Sequence, residues 1–567
     1  MDKITKLKDY FNNLSHNTYY LSNKDFKYGT YRIIKPGLYK LTENIVFEPN
    51  KNSYLSMNPA SFNNILDNFR PLNHQKRYKK PPYHLGFFAA ITIESDDVIL
   101  DLNGYSIQQS QLHYINQRFF SLIELNEAPF IKKQGPSDFG DINYPKNIYI
   151  KNGYLKLSSH HGIHGNNNDK ILIENLDISK FEVAGIQLNG CENSCVYNVK
   201  IHDNSIDTKV SLFYSNAINT RFFLKQLVEN KTIDRQVITI NGKERTALSI
   251  FVDLQKALID VNKSIIDKKI IKSKFYRNVD KLPEGNIYGI VLNTTGVVVN
   301  DFLDNDNAKK NKNNVVNNIK IYNLISKPKQ IITLSEGKKF HQGVIGDNIP
   351  YLKLCDTNFF YKENELYNSI AIIAKFTNNT RFIHRSKSLN IPEYIINEWI
   401  SGEKNLLEIK TNYNLYCINL RDSMNHLMKG NIALFVSGSE RLEVANINIK
   451  NIYNFDEQNN HNDKLNLETD FNYVANNETM PNYKIQYKKY MGNNINAITV
   501  VQSNKIIISN ISCSDMHSKE GLCNGIKYIN SCSDIINNNI NITENTINDK
   551  KYIEKINFMI NHYTKNI

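Results

Sequence analysis

Tryptophan occurs once in 567 residues, cysteine seven times, and charged side chains make up only 22% of the chain. Seven cysteines at irregular spacing are not a disulfide framework. Neither Cys191/Cys195 nor Cys513/Cys523/Cys532 has the paired close spacing of a zinc site, so a reducing compartment is the default. No apolar run approaches the roughly 20 residues that cross a bilayer. The opening Met1-Asp2-Lys3-Ile4-Thr5-Lys6-Leu7 runs into polar residues with no signal core. Neither conventional export nor membrane insertion is expected. Also missing are a phosphate-cradling glycine loop, a His-Glu-x-x-His helix and a nucleophile elbow.

What is present is unusual in another way. There are 33 Tyr and 27 Phe, and Asn supplies roughly one residue in seven. Aromatic and β-branched residues run the length of the chain, which excludes wholesale disorder. The formal charge of +13 would draw anionic partners: acidic polysaccharide, nucleic acid or a phospholipid surface. Spread over this length, it is equally the excess of a merely soluble surface. Length alone would allow roughly three or four domains.

An internal repeat changes that arithmetic. Gly162 and Gly185 lie 23 residues apart, and so do Asn175 and Asn198, with Asn152 another 23 upstream. A small residue, an aliphatic one, and an Asn twelve positions beyond the aliphatic recur six times. The aliphatic and Asn pairs are Ile91/Asn103, Ile163/Asn175, Ile186/Asn198, Leu434/Asn446, Ile498/Asn510 and Ile526/Asn538. The small residues are Ala90, Gly162, Gly185, Ala433, Ala497 and Gly525. Short alternating β-branched strands such as Ile91-Thr92-Ile93 and Ile506-Ile507-Ile508 fill the unit. Short strands at this period, with no helical pattern between them, predict a β-solenoid whose coils must stack to bury their apolar faces. The repeated Asn is expected to be buried at a turn and to bond its equivalents above and below, helped by its tolerance of the left-handed region.

The phrase from Ala90 to Ile107, AITIESDDVILDLNGYSI, resembles the opening coils of right-handed parallel β-helix proteins, the pectin-lyase-like superfamily. Upstream, Pro36-Gly37-Leu38-Tyr39-Lys40-Leu41 is similar to that superfamily's entry into the first coil. The resemblance covers roughly 31–205, 286–326 and 430–545. It implies coils of three strands, with ligands along one strand face. The resulting division is a capping segment over 1–30, coils over 31–205, a helical insertion over 206–285, and coils over 286–334. A mixed insertion over 335–429 follows, then coils over 430–548 with a polar loop near 455–490, and a cap or tail over 549–567.

Ile4, Leu7, Tyr10, Phe11 and Leu14 form a helical stripe, expected to cap the first coil. Phe251, Leu254, Leu258, Val261 and Ile265 form another, which either packs on the solenoid or joins copies. Ile391–Ile400 is predicted to be a short helix with an early proline. His74-Gln75-Lys76-Arg77-Tyr78-Lys79-Lys80 mixes basic and aromatic residues but reads as a solvated loop, so no specific nucleic-acid recognition is expected.

With Ile163 and its equivalents inward, the next residue faces outward. That row is Thr92, His164, Gln187, Phe435, Thr499 and Lys527. Two positions on come Glu94, Asn166, Asn189, Ser437, Val501 and Ile529. Thr92, Glu94, Gln187 and Asn189 suit sugar hydroxyls, and Phe435 suits stacking, so these five are the candidate substrate-binding residues. His160, His161 and His164 are the densest titratable cluster. His164 is the candidate general acid or base, against the reading of an ordinary polar-face histidine. Arg381 and His384 are the inserted residues that could assist it, against that of a basic surface loop. Of further metal ligands only Asp177 and Asp203 are near in sequence, so no metal is assigned, nor any cofactor.

The enzymatic members of the superfamily supply a sharper comparison. Gly162-Ile163-His164-Gly165 resembles the Gly-His-Gly element of polygalacturonases, and Asn293-Thr294-Thr295-Gly296 their Asn-Thr-Asp element without its Asp, in reversed chain order. A calcium-dependent pectate lyase would need an acidic ladder, which the outward row lacks, and Asp301, Asp304 and Asp306 lack the glycine turn and terminal Glu of a calcium loop. The expectation is a glycan-binding or structural β-helix taking acidic or neutral polysaccharide. The alternative is a lyase or epimerase, or failing those a glycoside hydrolase, acting on an acidic polysaccharide. The composition also resembles that of proteins from large AT-rich DNA viruses. That implies a virion surface or fibre component, located in host cytoplasm or virion, and admits a homotrimer.

Overall fold

The computed structural model describes residues 2–49 except 16, 87–128 except 118 and 119, 143–203, 287–294, 309–326, 431–454, 495–518, 523–529 and 532–543, with isolated short pieces between. The 251–265 stripe residues, the 391–400 helix, the 74–80 run, Asp301, Asp304, Asp306, the 455–490 loop and the 549–567 tail lie outside the described residues.

Two large sheets carry the described chain, one of twelve strands and one of nine, and every pairing within them is parallel. From Lys146 onward the chain alternates between them. Lys146–Ser158 is followed across by His161–Asn166, back by Asp169–Phe181, across by Ala184–Asn189 and back by Cys195–His202. The same alternation continues from Ile287–Asn293 and Asn311–Ser326 to Cys523–Ile529 and Ser533–Ile542. One continuous apolar core, from Leu21 to Ile535, draws side chains from both sheets. Among the described residues no helix is long and apolar enough to cross a membrane.

The strands of the broader sheet are too long for simple alternation. In Asp169–Phe181 the core residues are Ile171, Ile173, Leu176, Ile178 and Phe181, stepping by two and three in turn. Left-handed residues explain the pattern, for Lys170, Asn175 and Lys180 have φ of 56°, 52° and 55° and turn the strand every five residues. Equivalent bends recur on the neighbouring strands at Asn147, Asn152 and Leu157, and at Asn313, Asn318 and Asn323. The middle bend is the predicted Asn position. Asn175 donates from Nδ2 to Asn152 Oδ1 at 3.2 Å, Asn318 to Asn198 at 3.1 Å, and Asn510 to Asn446 at 3.0 Å.

Three details of that expectation are corrected. Asn103, Asn175, Asn198, Asn446 and Asn510 are exposed rather than buried, because the bend turns its side chain away from the core. Asn538 stands opposite Ser509, and it is Asn539 that has the left-handed φ and donates to Asn510 at 2.8 Å. Asn318 belongs to the ladder but escapes the twelve-residue rule, since residues are inserted between its two strands.

The small residue ahead of each inward aliphatic also has a cause. A Cβ on Gly162 would lie 2.5 Å from the carbonyl oxygen of Gly185 and 2.9 Å from Ile178 of the facing sheet. Gly162 and Ile163 therefore both turn inward, which bends the shorter strand and leaves His161 and His164 outside.

The N-terminal helix spans Asp2–Asn13 as the stripe predicts. It does not merely cap an end. Ile4, Leu7 and Phe11 pack on Ile99, Tyr149, Leu172, Cys195 and Val315, one register row across the outer face of the broad sheet. Lys8 pairs with Glu174, and Tyr10 donates to Asp97 at 2.6 Å. In the first interruption, where a helical insertion was expected, the described pieces include an antiparallel strand pair, Val237–Ile240 with Lys243–Thr246.

At the third bend His202 links two strands. Its Nε2 lies 2.7 Å from Asp177 Oδ1, and its Nδ1 lies 2.7 Å from Asp203 Oδ2. The hydrogen bond to Asp177 raises the His202 pKa above its ordinary value, against the opposing pull of burial. A raised folded pKa means that this clamp's contribution is full below the ordinary histidine range and fades as pH rises through the folded value. Native protein should therefore lose its stability advantage over His202→Gln on going from about pH 6 to about pH 9. Urea unfolding across that range checks this, and a constant difference would show that the imidazole holds the bend without its charge.

Candidate functional site

The shorter sheet carries the predicted outward row. Register places Arg32, Thr92, Glu124, His164, Gln187, Val291, Phe435, Thr499 and Lys527 side by side in one column. All six residues expected from the spacing are in it. Arg32, Glu124 and Val291 are additions that the spacing missed, because their strands lack an Asn twelve positions after the inward aliphatic. The strand-like Ser121-Leu122-Ile123-Glu124 was the available signal.

His164 lies at the centre of this column. Its Nδ1 is 2.9 Å from both carboxylate oxygens of Glu124, and its Nε2 is 3.2 Å from Asn189 Nδ2. An amide nitrogen can only donate, so Nε2 accepts and Nδ1 carries the proton that Glu124 receives. Asn189 gives its other amide hydrogen to Asn166 Oδ1 at 2.8 Å and accepts from Gln187 Nε2 at 3.4 Å. The rings of His161 and His164 stack at 4.9 Å, 8° from parallel, and His160 Nδ1 is 2.9 Å from His161 Nδ1.

Burial governs the electrostatics. Glu124 is 0% exposed and His164 5%. Desolvation pushes the Glu124 carboxyl above the usual carboxylate range, with the hydrogen bond from His164 pulling the other way. Desolvation by burial holds His161 well below the ordinary histidine range, so its imidazole is neutral. A carboxylate on Nδ1 is the arrangement that orients a general-base histidine. Here, however, the lone pair on Nε2 is already taken by Asn189.

The other candidates are placed differently from a sugar-binding surface. Thr92 donates to Glu94 Oε1 at 2.7 Å, and the Arg32 guanidinium grips both Glu94 oxygens, with Nε–Oε1 at 2.7 Å. This fork consumes Glu94 internally. Phe435 is 1% exposed, packed with Tyr288, Val291 and Ile432 on the outer face, its ring 5.8 Å from that of Tyr288. The expected open, hydrogen-bonding row is therefore largely covered: an ion pair at one end, His164–Glu124–Asn189 in the middle, an apolar patch beyond. Gln187 remains half-buried. Arg381 and His384 lie outside the described residues.

Among the described residues no group of three or more His, Cys, Asp or Glu side chains is placed to hold a metal ion. Burial pushes the Cys191, Cys195 and Cys513 thiols up to about 12, far from a reactive thiolate. No protein-family model, no curated protein and no solved structure matches the chain.

Proposed function

We propose that the two parallel sheets are the faces of a right-handed parallel β-helix of the pectin-lyase-like kind, and that the chain is a glycan-binding or structural element. The observation that carries this reading is the closed state of the His164 site. Both ring nitrogens are engaged, by Glu124 and Asn189, inside a covered column. Such a network orients a core strand and leaves no lone pair facing a substrate. The alternation of parallel strands and the laddered Asn bends support the coil, and the +13 charge supports an acidic partner. In a particle surface or fibre the unit would be a homotrimer, which a solution mass measurement tests.

Glycan arrays should show salt-sensitive retention of the native protein, with no depolymerisation across a panel of uronate polymers. Retention of no glycan overturns the binding reading. The Glu124–His164 pair favours a second reading, a lyase or epimerase in which substrate displaces Asn189 from Nε2. That reading takes over if the native protein cleaves or epimerises a uronate polymer and folded His164→Gln does not.

A further inference from the structure

Between its second and third bends the broad sheet presents a narrow face with two outward rows. Register aligns Tyr154, Asp177, Lys200, Lys320, Asn448 and Ser512 in one row. Lys156, Ser179, His202, Tyr322, Lys450 and Ser514 form the other. Four lysines thus sit on four of five successive strands, which are about 4.8 Å apart in a sheet of this kind.

We propose that this face binds a linear acidic polysaccharide laid across the strands, its carboxylates or sulfates meeting Lys156, Lys200, Lys320 and Lys450 in turn. The proposal rests on the glycan-binding reading above and assigns it a site away from the His164 column.

Charge is the first argument. Lys200 and Lys320 are directly opposite on neighbouring strands, both exposed, and neither has a carboxylate partner among the described residues. Like charges in that relation destabilise a sheet, and an anion lying over them removes the repulsion. The acidic groups within the two rows and the third bend beside them are Asp177, Asp203 and Asp515, and His202 bridges the first two. Asp203 is further tied by Asn323 Nδ2, at 3.0 Å. Beyond Lys320 and Lys450 the rows continue as Asn448, Ser512 and Ser514, neutral groups suited to hydroxyls.

The rings supply the second argument. Lys450 Nζ lies 5.8 Å from the Tyr322 centroid, and that ring stacks on His202 at 4.8 Å, 1° from parallel. Lys156 Nζ lies 4.8 Å from the centroid of Tyr154, a side chain 41% exposed. Two of the four ammonium groups are thus positioned by aromatic faces. The same contacts argue against single-stranded nucleic acid, which needs open ring faces for successive bases. His202 already occupies one face of Tyr322, and Lys156 lies over Tyr154.

The test uses the full chain, immobilised polygalacturonate, a neutral dextran and an oligothymidylate. Native protein should bind the uronate polymer, release it with salt, and ignore dextran. Lys200→Glu/Lys320→Glu should weaken binding by about tenfold or more, with Lys200→Gln/Lys320→Gln in between. Both lysines are exposed, so each variant should keep a cooperative thermal transition, which separates lost binding from lost fold. Uronate binding that survives the double Glu variant overturns this site while leaving the glycan-binding reading in place. A native protein retained by no glycan overturns both, and tighter binding of the oligothymidylate makes nucleic acid the occupant and overturns the proposal.

Discussion

Glu124→Ala should cost about 3–5 kcal/mol of folding stability, the range for removing one partner of a buried pair. Glu124 is fully buried, and its oxygens are the acceptors 2.9 Å from His164 Nδ1. Alanine leaves a cavity and strands that N–H donor where no other acceptor is in place among the described residues, while Asn189 still occupies Nε2. Denaturant unfolding reads the loss directly. The companion variant Glu124→Leu/His164→Leu should recover most of it, because a well-packed apolar pair avoids the desolvation that raises the Glu124 pKa. A single variant that loses less than about 1 kcal/mol would mean that His164 finds another acceptor, and that the pair does not hold the column together.

Substitution of Gly289 tests the repeat itself. A Cβ there would lie 2.4 Å from the carbonyl oxygen of Ala433 and 3.0 and 3.1 Å from side-chain carbons of Ile321. The first obstacle is backbone of the paired strand, so relief requires shifting a parallel ladder. Gly289→Ala should therefore cost about 1–3 kcal/mol, and Gly289→Val more, despite the usual gain in strand preference from valine. The neighbouring strands carry Ala433 and Ala497 at the same position, fully buried, so the site accepts a methyl group where the local strand path has been built around it. A midpoint of unfolding unchanged in Gly289→Ala would show that the strand spacing at Gly289 relaxes at no cost.

The repeat was legible because its demands are local to the backbone. A residue that must take φ near +50° selects Asn, as at Asn175 and Asn446, and a residue whose Cβ would strike the next strand selects Gly, as at Gly185 and Gly289. Both demands recur along successive parallel strands, so they leave a periodic trace. The outward row followed from the same register, and Thr92, His164, Gln187, Phe435, Thr499 and Lys527 do share a column. The rule failed where the chain between strands changes length, which hid Asn318 and put Asn538 one residue away from the ladder.

Cross-strand chemistry was not legible in that way. Glu124 meets His164 from 40 residues away, and Arg32 meets Glu94 from 62. Nothing within either segment signals the partner. Nor does a period reveal whether an outward face is open. Phe435 resembled a stacking platform and is packed under Tyr288, while Lys200 and Lys320, scattered among many lysines, prove to be adjacent on an exposed face.

The amino-acid sequence by itself determined the parallel β-strands, their bends and which residues face the core, because those follow from backbone dihedrals and side-chain volume repeated at one spacing. Tertiary structure alone decided which outward residues meet and which remain in solvent. That outcome depends on stacking strands separated by connections of unequal length, and contacts of that kind have no period to read.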